Sequence, residues 1–123
     1  YTPAGPTLAA ARRDNVSAIV TAKQVILLTH IANHTEIDDE QLLSLPRQAV
    51  WASAALGATM GLVAIRDALD TTTLLGISGL DHPASATITE LPITHEVLQL
   101  LAGGDGRIIA VTEDAGILWY NGL

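Results

Sequence analysis

Cysteine and phenylalanine are both absent from these 123 residues. Without cysteine, disulfides, thiolate metal sites and cysteine nucleophiles are excluded together. Aromatic side chains are nearly absent, with only Trp51, Trp119, Tyr1 and Tyr120. A core for this chain must therefore be filled by Ala, Leu, Ile and Val, which permit close backbone approach. Basic residues are also few. Six Lys and Arg stand against thirteen Asp and Glu, giving a net charge of −7, and only Arg12 and Arg13 are adjacent. Nucleic-acid binding needs a concentrated basic footprint that releases counterions from phosphates. The same deficit disfavours an anionic membrane surface, so neither nucleic acid nor membrane is expected as a partner. No signal-peptide pattern stands at Tyr1. The chain does not begin with Met, which leaves room for an upstream piece and leaves localisation open.

Hydrophobic residues make up 49% of the chain, enough for one sizeable core, and the length fits one domain. The pattern along it predicts an α+β protein, with two N-terminal helices followed by a four- to five-stranded antiparallel sheet. Residues 1–7, with two prolines and a glycine, read as an extended arm. Residues 8–70 read as the helical part. Its first helix starts near Leu8 or Val16 and runs to about Asn33, and an acidic loop follows over Thr35–Glu40. A short helical turn fits Asp39–Leu45. The second helix starts at Pro46 with Ser44 as its cap and runs to about Leu69. Residues 72–123 read as the β part, with strands at Leu74–Ile77, Ser85–Glu90, Glu96–Ala102, Arg107–Thr112 and Gly116–Tyr120. Glycine- and aspartate-rich turns separate the last three. No tandem repeat is expected.

The run Ala49–Ile65 is apolar or small throughout and carries Gly57 and Gly61. It is shorter than the ~20 residues a spanning helix needs, and Arg47 and Arg66 bound it, so a buried helix is expected. A helix apolar all round is a buried helix. Ser53, Gly57 and Gly61, at four-residue spacing, would let a second backbone approach, either within the chain or between subunits. The strands point the same way. Arg107–Thr112 and Gly116–Tyr120 are apolar on both faces, whereas a sheet with one wet face alternates apolar and polar. Each face needs a cover, and a partner subunit is the natural source of one.

Several groups could carry chemistry. His30 and His34 are four residues apart and would share a helix face, a metal-ligating spacing, with Glu36, Asp38 and Asp39 nearby. The competing reading is a polar strip at a contact. Ser78, Asp81 and His82 lack a nucleophile-elbow spacing. Gly103-Gly104-Asp105-Gly106 lacks the Gly-Lys-Ser/Thr ending of a phosphate loop. No catalytic or cofactor-binding residue is assigned.

The segment Leu101–Leu123, LAGGDGRIIAVTEDAGILWYNGL, with the strands before it from Ala84, resembles one blade of the tachylectin-type β-propeller lectins. The matching residues are Gly103–Gly106, Ile108, Ala110-Val111 and Leu118-Trp119-Tyr120. Thr94-His95 stand where that family tends to carry a tryptophan, and residues 1–71 match nothing in it. The resemblance implies a four-stranded antiparallel blade over about 84–123, a structural role for the Trp119-Tyr120 edge, and sugar binding. A second resemblance, at Leu75–Pro83 (LGISGLDHP), is to the segment after the long helix of some tailed-phage major capsid proteins.

The expected function is a non-enzymatic structural or assembly protein. It would self-associate or bind a partner chain through an apolar sheet face and a small-residue helix. The interface residues are Ser53, Gly57, Gly61, Trp119 and Tyr120. The alternatives are a carbohydrate-binding module, a viral capsid-type shell subunit, and a small enzyme with metal at His30 and His34.

Overall fold

The computed structural model describes residues 5–30, 37–93, 96–103, 105–114 and 116–120; of Asp38 it describes the backbone only. The fold is all-β. Eleven strands form three antiparallel sheets, and among the described residues there is no α-helix. The first sheet is a meander of β1 (Ala9–Arg13), β2 (Val16–Val20), β3 (Gln24–His30) and β4 (Ile37–Ser44). The second comprises β5 (Trp51–Leu56), β6 (Met60–Arg66), β7 (Thr72–Ser78) and β8 (Thr87–Leu91), with a 3-10 turn at Pro83–Ser85 before its last strand. The third is β9 (Val97–Ala102), β10 (Ile108–Thr112) and β11 (Gly116–Tyr120).

The expected α+β class is therefore overturned. The first predicted helix is the β1–β2–β3 meander, broken at Asp14-Asn15, where Asp14 takes a left-handed backbone conformation (φ 53°). The second is the β5–β6 hairpin, turning over residues 57–59. The expected turn Asp39–Leu45 lies largely in β4, and the loop expected over Thr35–Glu40 is strand from Ile37 onward. The cause is double-sided burial. Strands covered on both faces lose the period-two signal and read as continuous apolar runs, which periodicity cannot separate from a buried helix. In β6, every residue from Met60 to Ile65 is buried. Alanine, abundant in these segments, is the best helix former, but tertiary packing overrides that preference here.

The five strands expected in the β part are present, but they do not form one sheet. β8 pairs with β7 in the second sheet, Ile77 opposite Ile88, and β9 begins the third. Of the four strands expected as one unit over 84–123, the first lies in the second sheet and the other three form the third. The helix that would precede Leu75–Pro83 in a capsid-like chain is a strand pair.

The sheets stack face to face. β1 packs on β5, and β5 packs on β9. Val63 and Ile65 of β6 join Ala18, Val20, Val25 and Leu27 in the core between the first and second sheets. Leu62 and Ala64 point the other way and join Val97, Leu100, Ile108 and Ala110 between the second and third. Each buried Leu or Ile here is worth about 2–5 kcal/mol against truncation to Ala. Residues of the β1–β2 turn, the β5–β6 turn and the β7–β8 loop line one cavity of about 220 Å³, which puts these connections at one end of the stack. The Ala58 N–H donates to the Gly106 carbonyl at 3.2 Å, so the β9–β10 turn lies at that end too. β1, β5 and β9 therefore run in the same direction, and the stack is head to tail rather than mirror-faced.

Candidate assembly surface

The face of the third sheet turned away from the second is apolar and open. In the register, Leu101, Ile109 and Trp119 stand side by side, and Gln99, Val111 and Ile117 form the next row. These rows alternate with the inward residues Ile108, Ala110 and Leu118. Ile117 is 59% exposed, Trp119 54% and Leu101 42%. Scattered exposed apolar residues are ordinary, but a contiguous apolar face marks an interaction site. Trp119 is held in place on one side by Arg107, whose guanidinium lies 4.8 Å from the ring centre. Asp105 pairs with Arg107 and accepts its backbone N–H at 3.2 Å. These contacts hold the Asp105 carboxyl below its ordinary range, mainly through the side-chain bond from Arg107.

The first sheet has the opposite outer face. Ala10, Ile19, Ile26 and Leu42 form a row across all four strands, exposed at Ala10 and Leu42 but buried at Ile26. Beside it lies a shallow groove of about 450 Å³ lined by residues that include Ala10, Arg12, Ser17, Ile19, Leu28 and His30. The small side chains at β1 make this groove. Ser17 Oγ lies 2.7 Å from His30 Nε2, a distance a nucleophile and its base could share. Among the described residues the buried Nδ1 of His30 has no hydrogen-bond partner, so the third member of a triad is missing there. The pair ties β2 to the end of β3.

At the other end of the stack, Arg66 lies over Trp51, 4.3 Å from the ring centre, and pairs with Glu96 at 3.3 Å. It also donates to the Val97 carbonyl at 3.2 Å. Glu113 shares a side-chain hydrogen bond with Glu96. That bond and the repulsion between the two carboxyls hold Glu113 above its ordinary value.

The structure separates the expected interface residues. Ser53 lies in β5 and accepts the Leu100 N–H at 3.0 Å, an intrachain contact between sheets. A Cβ at Gly57 would sit 2.6 Å from the Gly106 carbonyl oxygen, so Gly57 also serves an intrachain contact. Gly61 is buried against Leu56 and Leu80. No small-residue helix exists for these three to form. Trp119 is on the open face, whereas Tyr120 packs inward against the core. His30 lies in a strand, which removes the helical spacing that joined it to His34. His34, Glu36 and the Asp38 side chain lie outside the described residues. Among the described residues, no group of three or more His, Asp or Glu side chains could hold a metal. Ser78 Oγ lies 2.9 Å from Thr87 Oγ1, a cross-strand contact. Leu101, Ile109 and Ile117 were not assigned to the interface, although the two apolar faces of their strands called for a cover; no sequence signal pointed to Ala10 of β1. Comparison with protein-family models, with curated proteins and with solved structures returns no match.

Proposed function

We propose that the chain is a non-enzymatic assembly module whose working surface is the outer face of its third sheet. The observation that carries this reading is the Leu101–Ile109–Trp119 row, apolar, contiguous and open to solvent. The row is apolar, as are the faces that already pack within the chain. Covering it removes apolar area from water at about 25 cal/mol per Å², and the polar ends of the sheet supply a rim. The test is the mass of Ile117→Lys in solution beside that of the unaltered chain. Loss of association with an unchanged far-ultraviolet spectrum supports the reading. An unaltered chain that is monomeric at micromolar concentration contradicts it.

Carbohydrate binding is a second reading. Stacked antiparallel meanders with their first strands adjacent are the arrangement of neighbouring propeller blades, which favours the lectin resemblance. A glycan array with Trp119→Ala as control tests it; binding unaffected by that change, or no binding, removes this site from consideration.

A further inference from the structure

We infer that the cavity between the turns of the first two sheets is a binding site for a small aliphatic amino acid, held by Arg13 through its carboxylate and by Asp81 through its ammonium group. The inference is independent of the assembly reading, since the cavity lies between connections inside the stack and not on an outer sheet face.

The site exists because several turns converge. The cavity measures about 220 Å³, with Arg13 and Asp14 on the wall given by the first sheet and Gly57 and Asp81 on the wall given by the second. Gly57 keeps the β5–β6 turn close to the β9–β10 turn, since a Cβ there would sit 2.6 Å from the Gly106 carbonyl oxygen. Arg13 reaches toward the same place: a Cβ at Gly106 would sit 3.6 Å from its Nη2.

Arg13 stands apart from the other four arginines. Arg47, Arg66 and Arg107 pair with Glu90, Glu96 and Asp105, and Arg12 donates to the Asp14 carbonyl at 3.3 Å. Arg13 makes no hydrogen bond or ion pair among the described residues. It is nonetheless half-buried, at the end of β1 on the face that turns Ala9 and Ala11 toward the core. A partly buried guanidinium without a partner carries a desolvation cost that a bound anion offsets. Its planar fork matches a carboxylate with two parallel hydrogen bonds.

The rest of the lining selects among anions. Asp14 and Asp81 share the cavity with Arg13 and pair with it in neither case. A bare anion is repelled by both. A molecule with a negative end for Arg13 and a positive end for a carboxylate satisfies both signs. Asp81 is the carboxylate on the second sheet's wall, and an ammonium group brings three donors to it. The apolar lining is Val16, Leu56 and Leu80, which suits an aliphatic side chain. Size sets the rest. The volume is several times the ~30 Å³ of a water and below the roughly 300–1,000 Å³ of pockets for drug-sized ligands. A free amino acid fits between these bounds.

Isothermal titration of the full chain with L-leucine and L-valine tests the site. Isocaproate, which is leucine without its ammonium, and isoamylamine, which is leucine without its carboxylate, are the controls. Saturable binding of at least one amino acid is expected, with both controls at least about tenfold weaker. Arg13→Gln and Asp81→Asn are each expected to weaken the amino acid by a similar factor. Asp81 is exposed, so its substitution leaves the core intact. Arg13→Lys, which keeps the charge and loses the fork, replaces Arg13→Gln if circular dichroism shows the latter unfolded. Isocaproate binding as tightly as leucine would overturn the role of Asp81 and with it the amino-acid site. Amino-acid binding indifferent to both substitutions would place the ligand elsewhere and overturn the proposal. So would the lack of saturable binding by either amino acid at millimolar concentration.

Discussion

The Leu100 backbone N–H donates to Ser53 Oγ at 3.0 Å, from the first strand of the third sheet to the first strand of the second. β9 pairs with β10 on one edge only, and Leu100 turns its N–H to the unpaired edge. One hydroxyl therefore satisfies a part-buried donor and sets how the third sheet sits on the second. Ser53→Ala leaves that donor unsatisfied, which costs about 1–3 kcal/mol. A lower melting temperature is expected, restored largely by Ser53→Thr. An Ala variant as stable as the parent would show that water replaces the hydroxyl.

Gly57 and Gly61 separate two kinds of close approach. A Cβ at Gly57 meets the Gly106 carbonyl oxygen at 2.6 Å, and that carbonyl already accepts the Ala58 N–H. Backbone has little room to yield. At Gly61 the nearest atom, at 2.9 Å, is the tip of Leu56, a flexible side chain. Gly57→Ala is expected to destabilise by about 1–3 kcal/mol and Gly61→Ala by clearly less. Denaturant titration of both reads the order directly; the reverse order would contradict this account of the turn.

Much of the β half was legible. The strand sites from Leu74 onward fell within a residue or two of β7 to β11, because Gly103–Gly106 and Glu113–Gly116 punctuate them with turn residues. The grouping into sheets was not legible, since β8 is as good a neighbour for β9 as for β7 in sequence terms. The helical half was misread where Ala52, Ala54, Ala55, Ala58 and Ala64 crowd a segment with no polar face. The repeat was present but weak: GLVAIRDALDTTTLLGISGL at 61–80 parallels GRIIAVTEDAGILWYNGL at 106–123. Both are a glycine, a β-branched strand, an acidic turn and a second apolar strand. At the site, Trp119 was legible as a large apolar residue on a two-faced strand. Ser53 and Gly57 were identified as contact residues, with a contact inside the chain and one between subunits both open, because a sequence does not say which backbone comes close.

Neighbouring leucines of β9 should behave oppositely. Leu100 is 4% exposed and packs between the second and third sheets, whereas Leu101 is 42% exposed on the outer face. Leu100→Asp buries an unpaired charge and is expected to prevent folding. Leu101→Asp is expected to keep the far-ultraviolet spectrum and lose association. A folded Leu100→Asp protein, or an unfolded Leu101→Asp one, would contradict the facing of β9.

Glu113 ties stability to pH. Its hydrogen bond with Glu96 and the repulsion between the pair raise it above the ordinary 4.5, with Arg66 opposing part of the effect. The folded protein thus holds this proton more tightly than the unfolded chain. The resulting stabilisation is fully present below the unfolded value and is lost as pH rises through the folded one. The melting temperature should carry a small downward component just above pH 4.5, small because exposed charges are screened. Glu113→Gln should remove it. A variant with the parent's pH profile would place the dependence elsewhere.

Sedimentation equilibrium of the unaltered chain, run across the micromolar range at neutral pH, tests the central claim most directly. The account predicts a mass above that of one chain that rises with concentration. A mass of 12.9 kDa at every concentration would mean that the Leu101–Ile109–Trp119 face stays open in solution, and would contradict it.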